Sequence, residues 1–150
     1  MAYRRILVPV DGSTTSNAGL REAIQIAKGS ASIQLVHVVD YHYLMMGGLE
    51  AGAYVQDMME SLTQSGRRIL KRAEEQVRKA GVPASSVLLE SSAGPAADAI
   101  VRQAKKWKAD VIVLGTHGRR GMRRMLMGSD AEQVVRNSPV PVMLVRSPGR

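Results

Sequence analysis

The sequence predicts an α/β fold: a doubly wound, mostly parallel sheet of five strands covered by helices on both faces. Three observations predict it. Five short β-branched or aliphatic runs alternate with segments of helical spacing, and that order gives parallel strands joined by crossover helices. Phe is absent and aromatic residues make up only 3% of the chain, so the core must be filled by Val, Ile, Leu, Ala and Met, as aliphatic parallel strands allow. The length of 150 residues, with 45% hydrophobic content, suits one core, so residues 1–150 are expected to form a single domain.

The elements follow in order. Ile6–Val10 reads as the first strand, and Ala18–Lys28 as a helix stopped by Gly29. Ile33–Val39 is the second strand. After it, Asp40 to Gln56 is irregular, with Gly47, Gly48 and Gly52 and with Met45, Met46, Met58 and Met59 near its ends. It reads as a connection with adaptable methionine packing, or as a lid at the carboxyl edge of the sheet. Arg67–Ala80 is the clearest helix, with Ile69, Leu70, Ala73, Val77 and Ala80 on one stripe and Lys71/Glu75, Glu74/Arg78 and Glu75/Lys79 on its solvated side. Val87–Glu90 is the third strand. Ala97, Ile100, Val101, Ala104 and Trp107 form the next stripe, ended by Lys105, Lys106 and Lys108, whose charge suits the negative end of a helix dipole. Val111–Leu114 is the fourth strand, Ser129–Asn137 a short helix stopped by Ser138-Pro139, and Val142–Val145 the last strand.

Charge divides the chain unevenly. Residues 1–100 hold 10 Lys and Arg against 10 Asp and Glu, whereas residues 101–150 hold 11 against 3. The net +8 therefore marks a local anion site or basic patch. No apolar run approaches the roughly 18 residues of a membrane-spanning helix. Cysteine is absent, which excludes disulfides and thiolate chemistry, and the opening Met-Ala-Tyr-Arg-Arg-Ile has no signal-peptide apolar region. The expected address is cytoplasmic.

Ligands of doubly wound sheets lie at the carboxyl ends of central strands. The first strand runs into Asp11-Gly12-Ser13, which sets a carboxylate at the rim; Ser13 to Ser16 also read as a turn and helix cap. The fourth strand runs into Gly115-Thr116-His117-Gly118, and Gly128-Ser129 follows at the start of a helix. Gly115 and Gly118 let the backbone approach a ligand, and the helix start offers amides at its positive end. Arg119, Arg120, Arg123 and Arg124 between them suit phosphate oxygens. Ser129 with Glu132 also reads as a capping box, which is compatible with phosphate on neighbouring amides.

Several familiar chemistries are disfavoured. The chain has no G-x-x-x-x-G-K-[ST] loop, no G-x-G-x-x-G turn after its first strand and no G-x-S-x-G elbow. His37, His42 and His117 lack metal-ligand spacing.

Val8-Pro9-Val10-Asp11-Gly12-Ser13, Leu35-Val36-His37-Val38-Val39-Asp40 and Gly115-Thr116-His117-Gly118…Gly128-Ser129, followed by Ser138-Pro139-Val140-Pro141-Val142, together resemble the universal stress proteins. The spacing G-x2-G-x9-G-[ST] is similar to that of the family's ATP-binding branch, and the resemblance runs through essentially the whole chain. It implies a Rossmann-like sheet of order 3-2-1-4-5, with ATP, ADP or AMP across the ends of strands one and four. Pro9, Val10 and Asp11 would then border the adenosine, with Asp11 near the ribose or a Mg²⁺ ion, and the Val38 backbone would meet adenine. Leu114, Gly115 and Gly118 would line the path to the phosphates, which Gly128, Ser129 and the amide of Asp130 would hold. His117 and Arg119 would add outer contacts. Asp130 departs from the small apolar or hydroxyl residue usual there, which leaves open how many phosphates the occupant carries.

The reading this supports is a stress-response regulator whose adenine-nucleotide occupancy biases conformation or partners. A slow Mg²⁺-dependent ATPase is one alternative; its turnover would be poor without a dedicated base or a second acidic ligand beside Asp11. A basic nucleic-acid-binding module is another, weakened by the scarcity of aromatic stacking residues. The last strand, Val142-Met143-Leu144-Val145, would be an apolar edge, and pairing with its copy gives the expected homodimer.

Overall fold

Nine elements succeed one another among the residues described by a computed structural model, namely 2–41, 44, 52–91, 93–116 and 128–147. They are β1 (Arg5–Pro9), α1 (Thr14–Ala27), β2 (Ser32–Asp40), α2 (Gly52–Lys79), β3 (Ala84–Ser91), α3 (Ala96–Trp107), β4 (Val111–Gly115), α4 (Ser129–Asn137) and β5 (Val142–Val145). All strand pairs are parallel, and the order is β3-β2-β1-β4-β5. The chain thus winds outward from β1 to β3, returns to the other side of β1 as β4, and winds outward again. The reversal puts the carboxyl ends of β1 and β4 side by side, where open α/β sheets form their ligand crevice.

Alternation along the strands builds a core on each face. Ile6, Val8, Ile33 and Leu35 pack with Leu20, Ala23 and Ile24 of α1 and with Leu70, Ala73 and Val77 of α2. Leu7, Val36, Ile112 and Leu114 pack on the opposite face with Ala97, Ile100 and Ala104 of α3 and with Ala131 and Val134 of α4. Within the second layer lies a polar bridge: the buried Gln103 amide donates to Gln34 Oε1 at 2.7 Å, and Gln34 Nε2 donates to Ser85 Oγ at 3.3 Å. Each buried amide therefore has a partner, which removes the cost of an unmet polar group.

Some boundaries differ from the sequence reading, for physical reasons. α2 begins at Gly52 rather than near Arg67. Its first half is held by a small apolar cluster in which Met58 and Met59 pack against Val39, Tyr41 and Leu44. Thr63 Oγ1 bonds the Tyr41 hydroxyl and donates to Met59 C=O at 2.8 Å. The part of the Asp40 to Gln56 connection holding Met45, Met46, Gly47 and Gly48 lies outside the described residues. Ala80, assigned to the α2 stripe, is exposed because the helix stops at Lys79. β3 starts at Ala84, three residues early, since Ala84 to Ser86 pair with Ile33 to Leu35 although Ser85 and Ser86 carry no apolar signal. Among the described residues, no helix is long and apolar enough to cross a membrane.

Candidate functional site

The end of β1 is a tightly bonded turn. Val10 N–H donates to Val36 C=O at 2.8 Å, the last rung joining the β1 side to β2. Asp11 N–H then donates to Ser16 Oγ at 3.1 Å, and Asp11 Oδ1 accepts Ser13 N–H at 2.9 Å. Ser13 caps α1, its Oγ accepting Ser16 N–H at 3.1 Å. The helix therefore starts at Thr14, not Ala18. The cap expected at Ser13 to Ser16 is present, and the same network fixes the half-buried Asp11 carboxylate at the rim.

Beside it, α1 presses onto the end of β4. A Cβ placed on Gly115 would lie 2.5 Å from Thr15 C and 2.8 Å from Ser16 N. Glycine is required there by close approach of two backbones. Leu114 is buried in the core against the α3 and α4 face, so only its main chain can border a ligand. Val10 is likewise buried, and Pro9 is half-buried at the end of β1.

The phosphate side of the expected site is built from Thr116 and the start of α4. Thr116 N–H donates to Val145 C=O at 3.0 Å, and Thr116 C=O accepts Gly128 N–H at 2.8 Å. The two ends of segment 117–127 are thereby joined, and the α4 N-terminus is brought to the carboxyl end of β4. The first helical bond runs from Glu132 N–H to Gly128 C=O at 3.0 Å. The amides of Ser129, Asp130 and Ala131 thus belong to the first turn, where partial positive charge collects.

This geometry corrects one expectation. Gly128 is the N-cap and makes no side-chain cap bond, while Ser129 is the first helical residue. No Ser129–Glu132 capping box forms; the Glu132 carboxylate instead pairs with Arg136 one turn on, at 2.9 Å. Asp130 and Glu132 both stand in the first turn, where they suit the dipole but oppose an anion.

Val38 enters through its backbone. Along β2, Ser32 N–H bonds Arg4 C=O and Val36 C=O bonds Val10 N–H, whereas the amides of Ile33 and Tyr41 bond Pro83 and Ser91. Even-numbered residues of β2 therefore direct their main-chain groups toward β1 and odd-numbered ones toward β3. Val38 N–H and C=O face the β1 side, two residues beyond the last rung. They face the same rim as Asp11.

His117, Gly118 and Arg119, with Arg120, Arg123 and Arg124, lie outside the described residues, as does His42. The structure thus brings together Pro9, Val10, Asp11, Val38, Leu114, Gly115, Gly128, Ser129 and Asp130 around the ends of β1, β2 and β4. Sequence reasoning missed Thr116, although it stands inside the quoted glycine stretch. His37 was set aside as a metal ligand and quoted only as part of the second-strand motif; β2 also carries Ser32, Gln34 and Asp40, so its polarity was no distinguishing signal.

Two grooves lie elsewhere. One of about 760 Å³ runs along the first half of α2, lined by Leu44, Val55, Met59, Thr63 and Arg67 among others. A second, of about 440 Å³, continues beside β3 past Leu70, Glu74 and Ser86. In the latter, hydrogen bonds from Ser86 Oγ and then from Arg78 hold the Glu74 carboxyl below its ordinary pKa. Neither groove includes the N-terminus of α4.

Comparison with known proteins agrees with this layout. Residues 2–146 match the model of the universal stress protein family. The chain is 37% identical over 147 residues to a universal stress protein of Methanocaldococcus jannaschii, covering 97% of this chain and 84% of the relative. It is similar to the crystal structure of a universal stress protein in complex with cAMP, with a TM-score of 0.68 and 26% identity over 99% of this chain and 100% of that one. It is also similar to the universal stress protein from Archaeoglobus fulgidus in complex with dAMP, with a TM-score of 0.66 and 25% identity over 97% and 99%.

Proposed function

The chain belongs to the universal stress protein family, and we propose that it is an adenine-nucleotide-binding regulatory member, in which occupancy by ATP, ADP or AMP biases conformation or partners. The observation that carries this reading is the Gly128 to Thr116 bond, which seats a helix N-terminus across the crevice from the Asp11 turn. Adenine nucleotides in two similar proteins support it.

In this reading Val38 offers its main chain to the adenine edge, and Pro9, Val10 and Asp11 border the adenosine, with Asp11 near the ribose or a Mg²⁺ ion. The backbones of Leu114 and Gly115 line the path, and Gly128, Ser129 and the amide of Asp130 receive phosphate. His117, Gly118 and Arg119 complete the phosphate end. Asp11 suits Mg²⁺ held chiefly by phosphate oxygens and water, a mode that needs only one or two protein carboxylates. Bound there, the ion would neutralise phosphate charge. A homodimer forms by pairing of β5 with its copy, since this apolar strand is a sheet edge and Leu144 stands 38% exposed.

The test is to denature freshly purified protein and identify released nucleotide by chromatography and mass, alongside calorimetric titration of ATP, ADP and AMP with Mg²⁺. Recovery of an adenine nucleotide, or saturable binding of one, is expected. Absence of both would overturn the reading.

A further inference from the structure

Among the described residues, one polar side chain sits against the candidate site without a role in it so far. His37 lies on β2, half-buried, on the face covered by α1 and α2. Its Nδ1 is 2.7 Å from Val10 C=O. A carbonyl only accepts, so Nδ1 carries the proton and donates. That carbonyl is where a regular parallel ladder would place its next rung, from Val38 N–H, after the Val10 to Val36 bond. The imidazole is thus bonded to the carbonyl at the end of the β1–β2 ladder, the one the Val38 amide faces.

The other side of the ring meets α2. A Cβ built on Gly66 would lie 2.6 Å from His37 Cδ2, 3.2 Å from Nε2 and 2.8 Å from Leu88 Cδ1. The helix can rest on the ring at this depth only because residue 66 has no side chain. A shift of α2 toward the sheet at Gly66 therefore presses on the imidazole, and through its Nδ1 bond on the Val10 carbonyl that precedes Asp11.

We propose that His37 is a positioning residue that couples the seat of α2 to the adenosine end of the nucleotide site, by fixing the Val10 carbonyl relative to the Val38 backbone. This rests on the nucleotide reading above. It gives that site a mechanical link to a helix bearing two solvent grooves, a means by which occupancy and the position of α2 can influence each other.

The chemistry of the substitutions supplies the test. Asparagine places its amide nitrogen near the position of Nδ1, glutamine reaches toward Nε2, and leucine fills space without donating. ADP binding is measured calorimetrically for wild type, His37→Asn, His37→Gln and His37→Leu, with circular dichroism confirming the fold. His37→Leu and His37→Gln are expected to weaken ADP on the order of tenfold, the loss for one well-placed hydrogen bond, while His37→Asn stays within about threefold. Inorganic triphosphate, which lacks adenosine, should bind all four alike. Gly66→Ala should also weaken ADP, and less so in the His37→Asn background, which removes the ring atoms the new methyl would meet.

Equal ADP affinity in wild type and His37→Leu would overturn the proposal, as would an asparagine variant as weak as the leucine one. Should the leucine variant not fold, a Gly66→Ala effect that is the same in both backgrounds would overturn it. Failure of wild type itself to bind ADP would defeat the underlying nucleotide reading, a result distinct from any of these.

Discussion

Gly128 N–H donates to Thr116 C=O at 2.8 Å, so the start of α4 is tied by main chain alone to the residue that follows β4. Because Thr116 N–H is in turn bonded to Val145 C=O at 3.0 Å, the amides at the helix start inherit the rigidity of two paired strands. A phosphate docked there meets donors whose direction is already set, which reduces the ordering cost of binding.

Asp130 tests this electrostatically. Its carboxylate lies in the first turn of α4, where it opposes the negative charge of a ligand. Asp130→Asn is expected to raise affinity for ATP relative to AMP by about threefold, the scale of one charge near a helix terminus. Parallel calorimetric titrations at low and moderate salt would check this, and the ratio should shrink as salt increases.

Gly115 is constrained by contact rather than by ligand chemistry. Gly115→Ala would drive a methyl into the backbone of Thr15 and Ser16, forcing α1 away from β4. The expected destabilisation is about 2 kcal/mol, as for overpacking in a dense core, together with weaker nucleotide binding. Urea unfolding and ADP titration on the same preparation would show both.

Ser13 has one hydroxyl serving the cap and sits next to the Asp11 turn. Ser13→Ala should cost about 1 kcal/mol through the lost cap, or roughly 3 °C in melting temperature for a domain of this size. Ser13→Asp, which retains an acceptor, should recover most of it. An alanine variant as stable as wild type would show that the cap contributes little.

Glu74 governs a modest acid response. Bonds from Ser86 and Arg78 lower its folded pKa, so its contribution is present above the ordinary value of 4.5 and is lost as pH falls through the lower folded value. The pair is partly solvated, with Arg78 64% exposed, and is expected to contribute about 0.5 kcal/mol. Glu74→Gln should therefore melt below wild type at neutral pH. The two melting curves should converge as the solution is acidified well below that ordinary value.

Leu144 reports on the proposed dimer. Leu144→Lys places a charge on the exposed face of β5, a recognised way to block edge pairing. Sedimentation at micromolar concentration should give a dimer for wild type and a monomer for the variant, with ADP affinity unchanged. A wild-type monomer would remove β5 as an interface.

The fold was legible because its signals are local. Runs such as Ile6–Val10 and Val111–Leu114 are apolar on both faces, and their alternation with helical stripes leaves little freedom of architecture. What escaped detection depended on the third dimension. The first half of α2 is held by contacts of Met58 and Met59 with Tyr41 and Leu44, a cluster that forms only after β2 has been laid down. Ser85 and Ser86 join β3 through main-chain pairing that their side chains do not announce. In the site, Asp11, Gly115 and Gly128 stood out by residue type and spacing. Thr116 acts through its backbone and His37 through a carbonyl 27 residues earlier, so neither role has a pattern in sequence.

The central place of β1 also governs the order in which the sheet can be assembled. Its partner on one side, β2, follows within a few tens of residues, whereas its partner on the other, β4, pairs Val111 with Ile6 more than a hundred residues later. The Asp110 carboxylate, which accepts the amides of Arg4 and Arg5 at 2.9 and 2.8 Å, arrives equally late. During synthesis β1, β2 and β3 can close as a three-stranded unit with one side of β1 still open, and the crevice between the ends of β1 and β4 exists only once the ribosome has delivered β4.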